Sequence, residues 1–307
     1  MLKVPKRPKG LIFAGLGLGV IVLVLLLSGF FFIVSGNKSQ QTSNVLQTGA
    51  NPAISSLTAV SKENGNDTEY LALGDSIAFG VGASSPQELG YPAAFYRQYL
   101  TKVRPGVTSY KNLAIPGETA TSFIIRPKAK SQLDLALAEL ATGQKTGTPV
   151  SLVSLTIGGN DVLAARTKSQ SEKETVLNNF DNNFQKILTA LAPYTRDGTT
   201  QLILTTYYNP FGTGDAGLSS DDTVWMQRFN ALIKQRAAEY KAKVADFFPP
   251  ILGQEKTLTW IGGGDIHPNT AGHAALAAAL WQSTGYTLPA TFSPNLDIIM
   301  NSRFLIN

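Results

Sequence analysis

The sequence predicts an α/β fold in which helices cover both faces of a parallel sheet. Five short apolar segments alternate along the chain with longer segments of helical periodicity, as in folds of this class. The segments around residues 153 and 203 are almost continuously apolar, which is typical of strands buried on both faces. A chain of 307 residues is long enough to bury such a core.

The individual elements follow from these patterns in chain order. The strands are expected at 70–73, 108–113, 150–157, 201–207 and 244–247. The helices are expected at about 87–103, 131–141, 172–192, 221–241 and 270–283. Because ligands bind at the carboxyl ends of the strands in such sheets, the residues that follow each strand are the candidates for function.

The N-terminal part of the chain predicts a membrane anchor. Residues 1–9 form a basic tip, and residues 10–36 contain no charged side chain. A helix over that stretch would be about 40 Å long, against roughly 30 Å of bilayer hydrocarbon. The stretch is longer than the apolar core of a signal peptide, so an uncleaved single-pass anchor is favoured over secretion after cleavage. The basic tip would stay in the cytoplasm and the rest of the chain would be extracellular.

Residues 37–68 predict a flexible polar linker. Ser, Thr, Asn and Gln supply 17 of these 32 residues, a composition that buries too little apolar surface to fold alone. The globular domain is therefore expected over 69–307. The lipid bilayer is the partner expected for the N-terminal helix.

Charge and composition exclude several classes of function. The chain has 26 Lys plus Arg, but four of them lie in residues 1–9, so the remainder carries 22 basic against 21 acidic residues. That balance predicts no surface for nucleic acid. The absence of Cys excludes disulfides, thiolate metal sites and a Cys nucleophile. With only two histidines and no motif of zinc-binding spacing, no metal and no other cofactor is predicted.

The first candidate functional residue is Ser76, in the turn Gly74-Asp75-Ser76 that ends the first strand. A serine there can present its hydroxyl at the edge of the sheet, and the helix behind it offers backbone N–H groups to an anion. The turn also has a purely structural interpretation, in which Asp75 or Ser76 caps the helix. Taken alone, the turn favours neither interpretation.

Two further loops carry groups suited to stabilising negative charge. Gly117 follows the second strand and could bring a backbone N–H close to a ligand, or be a simple turn glycine. Asn160 follows the third strand after two glycines, and its amide could face a developing negative charge. Asn is also an ordinary loop residue. Asp75 and Asp161 are expected to have structural roles, accepting hydrogen bonds from loop backbone.

Only His267 and His273 can supply an imidazole base. Asp265 lies two residues before His267 in a Gly-rich loop that leads into the last helix, where its carboxylate could hold the ring for proton transfer. His273 lies in the first turns of that helix and is expected to pack or hydrogen-bond locally.

Together these blocks resemble the SGNH, or GDSL-type, esterases and lipases. They are Gly-Asp-Ser at 74–76, Gly117 after Asn112, Gly-Gly-Asn-Asp at 158–161 and Asp-Ile-His-Pro at 265–268, in the family's order. The segment at 207–211 is also similar to the extracellular bacterial lipases of this type. The resemblance implies a flavodoxin-like three-layer α/β/α domain that hydrolyses acyl esters without a metal.

The resemblance also implies a role for each candidate. Ser76 would be the nucleophile, His267 its base, and Asp265 the acid that orients the imidazole. The backbone N–H groups of Ser76 and Gly117, with the Asn160 amide, would form the oxyanion hole. One departure is that in much of the family the acid precedes the histidine by three residues, where this chain has glycine. Either Asp265 reaches the ring or a backbone carbonyl orients it.

An ester hydrolase displayed outside the cell membrane is the function that these residues favour. An O-acyltransferase acting on a cell-surface glycan would use the same serine chemistry, and a non-catalytic surface binding module on the same fold is a further alternative. Candidate substrates are short acyl esters, lysophospholipids and acetylated glycans. Trp225, Trp260 and Phe211 lie in or beside predicted lid loops, where core packing is the commoner role, and 212–222 is expected to form a loop near the site.

Overall fold

Residues 67–209 and 220–287 are described by the structure, which is a computed structural model. Within them one parallel sheet is formed by β1 Thr68–Gly74, β2 Val107–Asn112, β3 Val150–Thr156, β4 Gln201–Thr205 and β5 Lys243–Ala245. The strands lie in the order β2-β1-β3-β4-β5. This is the flavodoxin-like order, and it confirms the predicted five-stranded parallel sheet.

The helices connect the strands and follow the last of them. They are α1 Ser76–Phe79, α2 Pro86–Leu89, α3 Tyr91–Phe95, α4 Thr101–Val103, α5 Ala120–Ile124, α6 Gln132–Thr146, α7 Gly159–Ala164, α8 Gln170–Thr195, α9 Ser220–Glu239, α10 Glu255–Leu258 and α11 Thr270–Thr284. A π-helical turn, Tyr96–Leu100, joins α3 to α4, and a 3₁₀ turn lies at Ile261–Gly263.

The helices form one layer on each face of the sheet. α3 packs against α11, whereas α8 packs against α5, α6, α7 and α9. This division follows from the strand order, because right-handed crossovers that run in opposite directions from β1 place their helices on opposite faces. The three-layer α/β/α arrangement implied by the resemblance is therefore confirmed.

Burial on both faces explains the continuous apolar character of the central strands. Every residue of β3 is buried. Phe180 and Phe184 of α8 are buried in one helical layer, and Tyr91 and Phe95 of α3 are buried in the other. Apolar side chains are thus needed on both sides of the sheet, which removes the alternation of a half-exposed strand.

Two boundaries differ from the sequence prediction. β1 begins at Thr68, inside the segment predicted as linker, because the Thr68 backbone N–H donates to the Gly106 carbonyl at 2.7 Å. The helix predicted over 87–103 is divided at Gly90. A Cβ there would lie 2.5 Å from the Pro86 carbonyl oxygen and 2.8 Å from the Gly80 Cα, so glycine is required and the chain turns.

Three short helices, α5, α7 and α10, were not predicted because none is long enough to show a 3.6-residue period. Several predicted features lie outside the described residues: the basic tip 1–9, the anchor 10–36, the linker up to residue 66, Phe211, the loop residues 212–219 and the tail from Ser293. In the part of the chain that is described, no helix is both long and apolar enough to cross a membrane.

Candidate active site

The Ser76 hydroxyl is positioned by the sharp turn between β1 and α1. Gly74 has a φ of 137°, and a Cβ there would lie 2.0 Å from the Thr156 carbonyl oxygen on β3, so the two strand ends meet only because residue 74 is glycine. Asp75 then caps α1, its Oδ1 accepting the Ile77 N–H at 2.9 Å. Ser76 is the first residue of that helix, where backbone N–H groups have no intrahelical acceptor.

His267 and Asp265 lie on a loop that is fastened to its surroundings from two sides. The Trp260 N–H donates to the His267 carbonyl at 3.0 Å, and the Trp260 indole Nε1 donates to the Gly82 carbonyl at 2.9 Å. From the other side, the Tyr208 hydroxyl donates to the Ile266 carbonyl at 2.6 Å. The first of these bonds closes the loop on itself, and the other two attach it to Gly82 after α1 and to Tyr208 after β4.

The structure brings Ser76, His267 and Asp265 into one chain of hydrogen bonds. The Ser76 Oγ lies 2.9 Å from His267 Nε2, and His267 Nδ1 lies 2.5 Å from Asp265 Oδ1. The carboxylate accepts from Nδ1–H, which fixes the tautomer and leaves the Nε2 lone pair to accept the serine proton. The imidazole therefore presents a nitrogen that can accept a proton to the Ser76 hydroxyl.

The two-residue spacing between Asp265 and His267 is explained by a local turn. Asp265 Oδ1 also accepts the backbone N–H of His267 at 3.0 Å, the pattern of an Asx turn in which the side chain bonds the N–H two residues on. One oxygen thus holds both the backbone and the ring of the same histidine. The alternative in which a backbone carbonyl orients the ring does not describe this geometry.

Asn160 and Gly117 lie in the loops predicted to carry them. The Asn160 Nδ2 donates to the Glu118 carbonyl at 2.9 Å, and the side chain lines the same pocket as Ser76 and His267. Gly117 has a φ of 81° with no atom within 4 Å of the place a Cβ would take, so its backbone conformation, not crowding, favours glycine. Pro116 and Gly117 occupy the centre of a turn closed by Glu118 N–H and the Ile115 carbonyl at 3.1 Å, as in type II turns.

The two other carboxylates of the motifs bond backbone, as predicted. Asp161 Oδ2 accepts the Ala120 N–H at 3.0 Å and so ties α7 to α5. Asp75 is buried, and its Oδ2 accepts the Tyr207 hydroxyl at 2.5 Å. Burial raises the pKa of Asp75 to about 7, although the hydrogen bonds from Tyr207 and from backbone N–H groups act in the opposite direction.

His273 is a buried structural residue, as predicted. Its Nδ1 accepts the Tyr91 N–H at 3.2 Å and its Nε2 donates to the Val81 carbonyl at 2.9 Å. Burial lowers the pKa of His273 to about 4, so the ring is neutral near pH 7. Its two nitrogens join α11 to α3 and to the segment after Ser76, and neither is available to a substrate.

An apolar pocket of about 80 Å³ opens beside Ser76 and His267. Besides the residues already described, the side chains that line it are mostly apolar: Ile77, Val162, Leu163, Met226, Tyr208 and Ile266. The volume exceeds the roughly 10–15 Å³ that a single water molecule needs. This is space for a small apolar group next to the hydroxyl.

The two tryptophans predicted near lid loops differ in their surroundings. Trp225 is 2% exposed and packs beneath the Lys173 ammonium, 5.1 Å from the ring centroid. Trp260 is 51% exposed, and its indole nitrogen bonds the Gly82 carbonyl. Core packing therefore describes Trp225 and not Trp260.

Three residues of this region have roles that were not predicted from the sequence: Tyr208, Glu118 and Gln132. Tyr208 bonds Ile266 in the loop that carries His267, Glu118 belongs to the loop of Gly117, and Gln132 bonds Glu118. The position of Glu118 directly after the candidate oxyanion glycine could have indicated a role for it, whereas no pattern in the sequence points to Gln132. Within the described residues, no cluster of three or more His, Asp or Glu side chains is suited to hold a metal ion.

A serine, a histidine and an aspartate hydrogen-bonded in that order, at the carboxyl edge of a flavodoxin-like sheet, are the arrangement of a serine hydrolase. The sequence is matched over residues 72–275 by the model of the GDSL-like lipase/acylhydrolase family. The chain belongs to this family, which confirms the resemblance, and it is a carboxylic ester hydrolase.

Individual relatives agree with this assignment. The chain is 25% identical over 229 residues to the spore germination lipase LipC of Bacillus licheniformis, covering 71% of this chain and 96% of the relative. It is 32% identical over 130 residues to a lipase of Streptomyces rimosus, covering 42% of this chain and 44% of the relative. The acetylxylan esterase Axe2 of Geobacillus stearothermophilus has a similar structure, with a TM-score of 0.54 and 22% identity over 74% of this chain and 99% of that chain. At that identity the likeness concerns the fold alone.

Proposed function

We propose that the protein hydrolyses acyl esters through a Ser76–His267–Asp265 triad and an oxyanion hole. The observation that carries the proposal is the continuous hydrogen-bond chain from the Ser76 hydroxyl through the imidazole to the Asp265 carboxylate. A serine hydroxyl is a weak nucleophile until a base removes its proton, and His267 Nε2 is at hydrogen-bond distance from it.

In the first half of the reaction, Ser76 Oγ attacks the ester carbonyl carbon while its proton passes to His267 Nε2. The tetrahedral intermediate then expels the alcohol, which takes that proton, and an acyl ester on Ser76 remains. In the second half, water attacks the acyl carbon and gives a proton to the same nitrogen, and the carboxylic acid leaves as Ser76 regains its hydrogen. Asp265 stabilises the imidazolium that exists in each half.

The negative oxygen of each tetrahedral intermediate would be stabilised by the Ser76 and Gly117 N–H groups and the Asn160 amide. Donors that are already in place when charge develops cost no reorganisation, and each is worth about 10²–10³ in rate. The Asn160 amide donates one N–H to the Glu118 carbonyl, which supports this role because the bond orients the amide and leaves its second N–H for the oxyanion.

The acyl group is proposed to be short. The pocket beside Ser76 has a volume of about 80 Å³ and is lined mainly by apolar side chains, among them Leu163 and Met226. Each methylene buried there would gain about 0.8 kcal/mol, and this gain is proposed to end once the pocket is filled. Acetyl and butyryl esters are therefore favoured over long-chain ones.

The proposed activity is tested by assaying the full chain with p-nitrophenyl acetate, butyrate, octanoate and palmitate. We expect kcat/KM for acetate or butyrate to exceed that for palmitate by about 10-fold or more, since the pocket is filled by a few carbons. Adding a glycan acceptor separates hydrolysis from acyl transfer, because a transferase would form acylated glycan instead of free acid. Absence of both turnover and labelling of Ser76 by a fluorophosphonate would contradict the proposal and support a binding module.

We further propose that the domain is displayed outside the cell membrane by an anchor at 10–36, with the basic tip in the cytoplasm. The support is the uncharged stretch and the basic residues before it. In intact bacterial cells that express the full chain, external protease is expected to degrade the domain but not a cytoplasmic marker. Degradation only after lysis would place the domain inside, and recovery of a shortened chain in the medium would indicate cleavage.

A further inference from the structure

Glu118 presents a fully buried carboxylate next to Gly117, with donors around it. Its Oε2 accepts the Gln132 Nε2 at 2.9 Å, its Oε1 accepts the Ser122 hydroxyl, and Arg126 Nη2 lies 3.3 Å from Oε1. The Glu118 side chain is 0% exposed, while Arg126 is partly open to solvent. Burying a charge is costly, and an apolar residue often stabilises a fold as well or better, so stability is a weak explanation for this acid.

The backbone of Glu118 connects this cluster to Asn160. The Glu118 carbonyl accepts the Asn160 Nδ2, and the Glu118 N–H closes the turn that contains Gly117. A rotation of Glu118 would therefore move the carbonyl that orients one proposed oxyanion donor. The same rotation would shift the turn that carries a second proposed donor, the Gly117 N–H.

Gln132 connects Glu118 to the strand that ends at Ser76. Its Oε1 accepts the Gly74 N–H at 2.6 Å, and its Nε2 donates both to the Gly74 carbonyl and to Glu118 Oε2, each at 2.9 Å. Gln132 is fully buried, so no water competes for these bonds. Gly74 lies two residues before Ser76. The Gln132 side chain therefore connects the turn that carries Ser76 to the turn that carries Gly117.

We propose that Glu118 and Gln132 are positioning residues that hold the Asn160 amide and the Gly117 turn in register with Ser76. Neither touches the substrate, and both act through the donors of the oxyanion hole. This inference rests on the proposed esterase mechanism. The geometry requires a carboxylate at 118, because each of its neighbours in this cluster is a donor.

The test is a double-mutant cycle on the full chain, measured with p-nitrophenyl butyrate. Asn160→Ala is expected to lower kcat by about 10²–10³. Gln132→Met, which keeps the length of the side chain but removes its polar atoms, is expected to lower kcat by about 10-fold or more with KM changed less than about 2-fold. In the Asn160→Ala background, we expect Gln132→Met to lower kcat by a clearly smaller factor than in the wild type, because one of the two donors that it positions is gone.

Glu118→Gln and Ser122→Ala provide milder variants should Gln132→Met fail to fold. Glu118→Gln keeps the shape of the side chain but directs N–H groups at a neighbouring donor, and Ser122→Ala removes a single donor. Both are expected to lower kcat, and to lower it by a smaller factor in the Asn160→Ala background. Thr200→Val is the matched control, since Thr200 is buried and donates to the Val150 carbonyl at the opposite end of the sheet. It is expected to lower the melting temperature without changing kcat.

Each outcome distinguishes the two proposals. The positioning role would be overturned if Gln132→Met lowers kcat by the same factor in both backgrounds, or if it lowers the melting temperature with kcat unchanged. Either result would leave the proposed esterase activity intact. If Asn160→Ala keeps full activity, Asn160 is not an oxyanion donor and the positioning role falls with it. If the wild type hydrolyses no ester and no fluorophosphonate labels it, the proposed function itself is wrong.

Discussion

Replacing Ser76 with alanine is expected to lower kcat/KM for ester hydrolysis by about 10⁴-fold or more. In the proposed mechanism the hydroxyl forms the covalent bond to the acyl group, and no other hydroxyl is hydrogen-bonded to His267 Nε2 in the described structure. Without it, the oxyanion donors and the binding pocket can supply only the residual rate that serine hydrolases keep when the nucleophile is removed. The measurement is kcat/KM with p-nitrophenyl butyrate for the full chain and the variant.

The control for this variant is Ser85→Ala. Ser85 lies in the same segment, nine residues on, but precedes α2 without capping it through its side chain. Its replacement should leave both activity and circular dichroism unchanged. If Ser76→Ala is folded and retains activity within about 10-fold of the wild type, Ser76 is not the nucleophile.

Replacing Asp265 with alanine is expected to lower kcat by about 10²–10⁴, depending on how well water can replace a half-exposed carboxylate. Asp265 holds His267 Nδ1–H and, through the same oxygen, the His267 backbone, so its loss frees both the tautomer and the ring orientation. KM should change little, because Asp265 does not line the pocket. His267→Ala should cost about as much as Ser76→Ala.

A second aspartate offers a matched control for this result. Asp197 Oδ1 accepts the N–H of Thr199, also two residues on, at 2.9 Å, but before β4 at the opposite end of the sheet. Asp197→Ala therefore removes the same kind of local turn without touching the site. Near wild-type turnover in Asp265→Ala, with none in His267→Ala, would indicate a Ser–His dyad instead of a triad.

The fold was predictable because its strongest signals are local. Five apolar strands and the long helices α6, α8, α9 and α11 have the correct period over enough residues to be recognised. The break at Gly90 was not predictable in the same way. It depends on contact between Gly90 and Gly80, ten residues apart, which no local pattern contains.

In the candidate site, too, the sequence predicts some features and only the tertiary structure shows others. Ser76, Gly117, Asn160 and His267 follow strand ends, and parallel strands bring their carboxyl ends to one edge, so their proximity could be expected. Whether Asp265 reaches the ring depended on the path of the loop, which Tyr208 and Trp260 fasten from outside the motif.

The sequence alone determined the α/β class and the family, and it predicted the residues proposed to carry out ester hydrolysis, because strand ends and motifs consist of consecutive residues. Only the tertiary structure decided how those groups are held. Gln132 and Glu118 are 14 residues apart and have no shared motif, yet burial leaves each as a hydrogen-bond partner of the other. A buried polar side chain must find its partner among whatever groups the fold places beside it, and that choice belongs to packing, not to the order of residues along the chain.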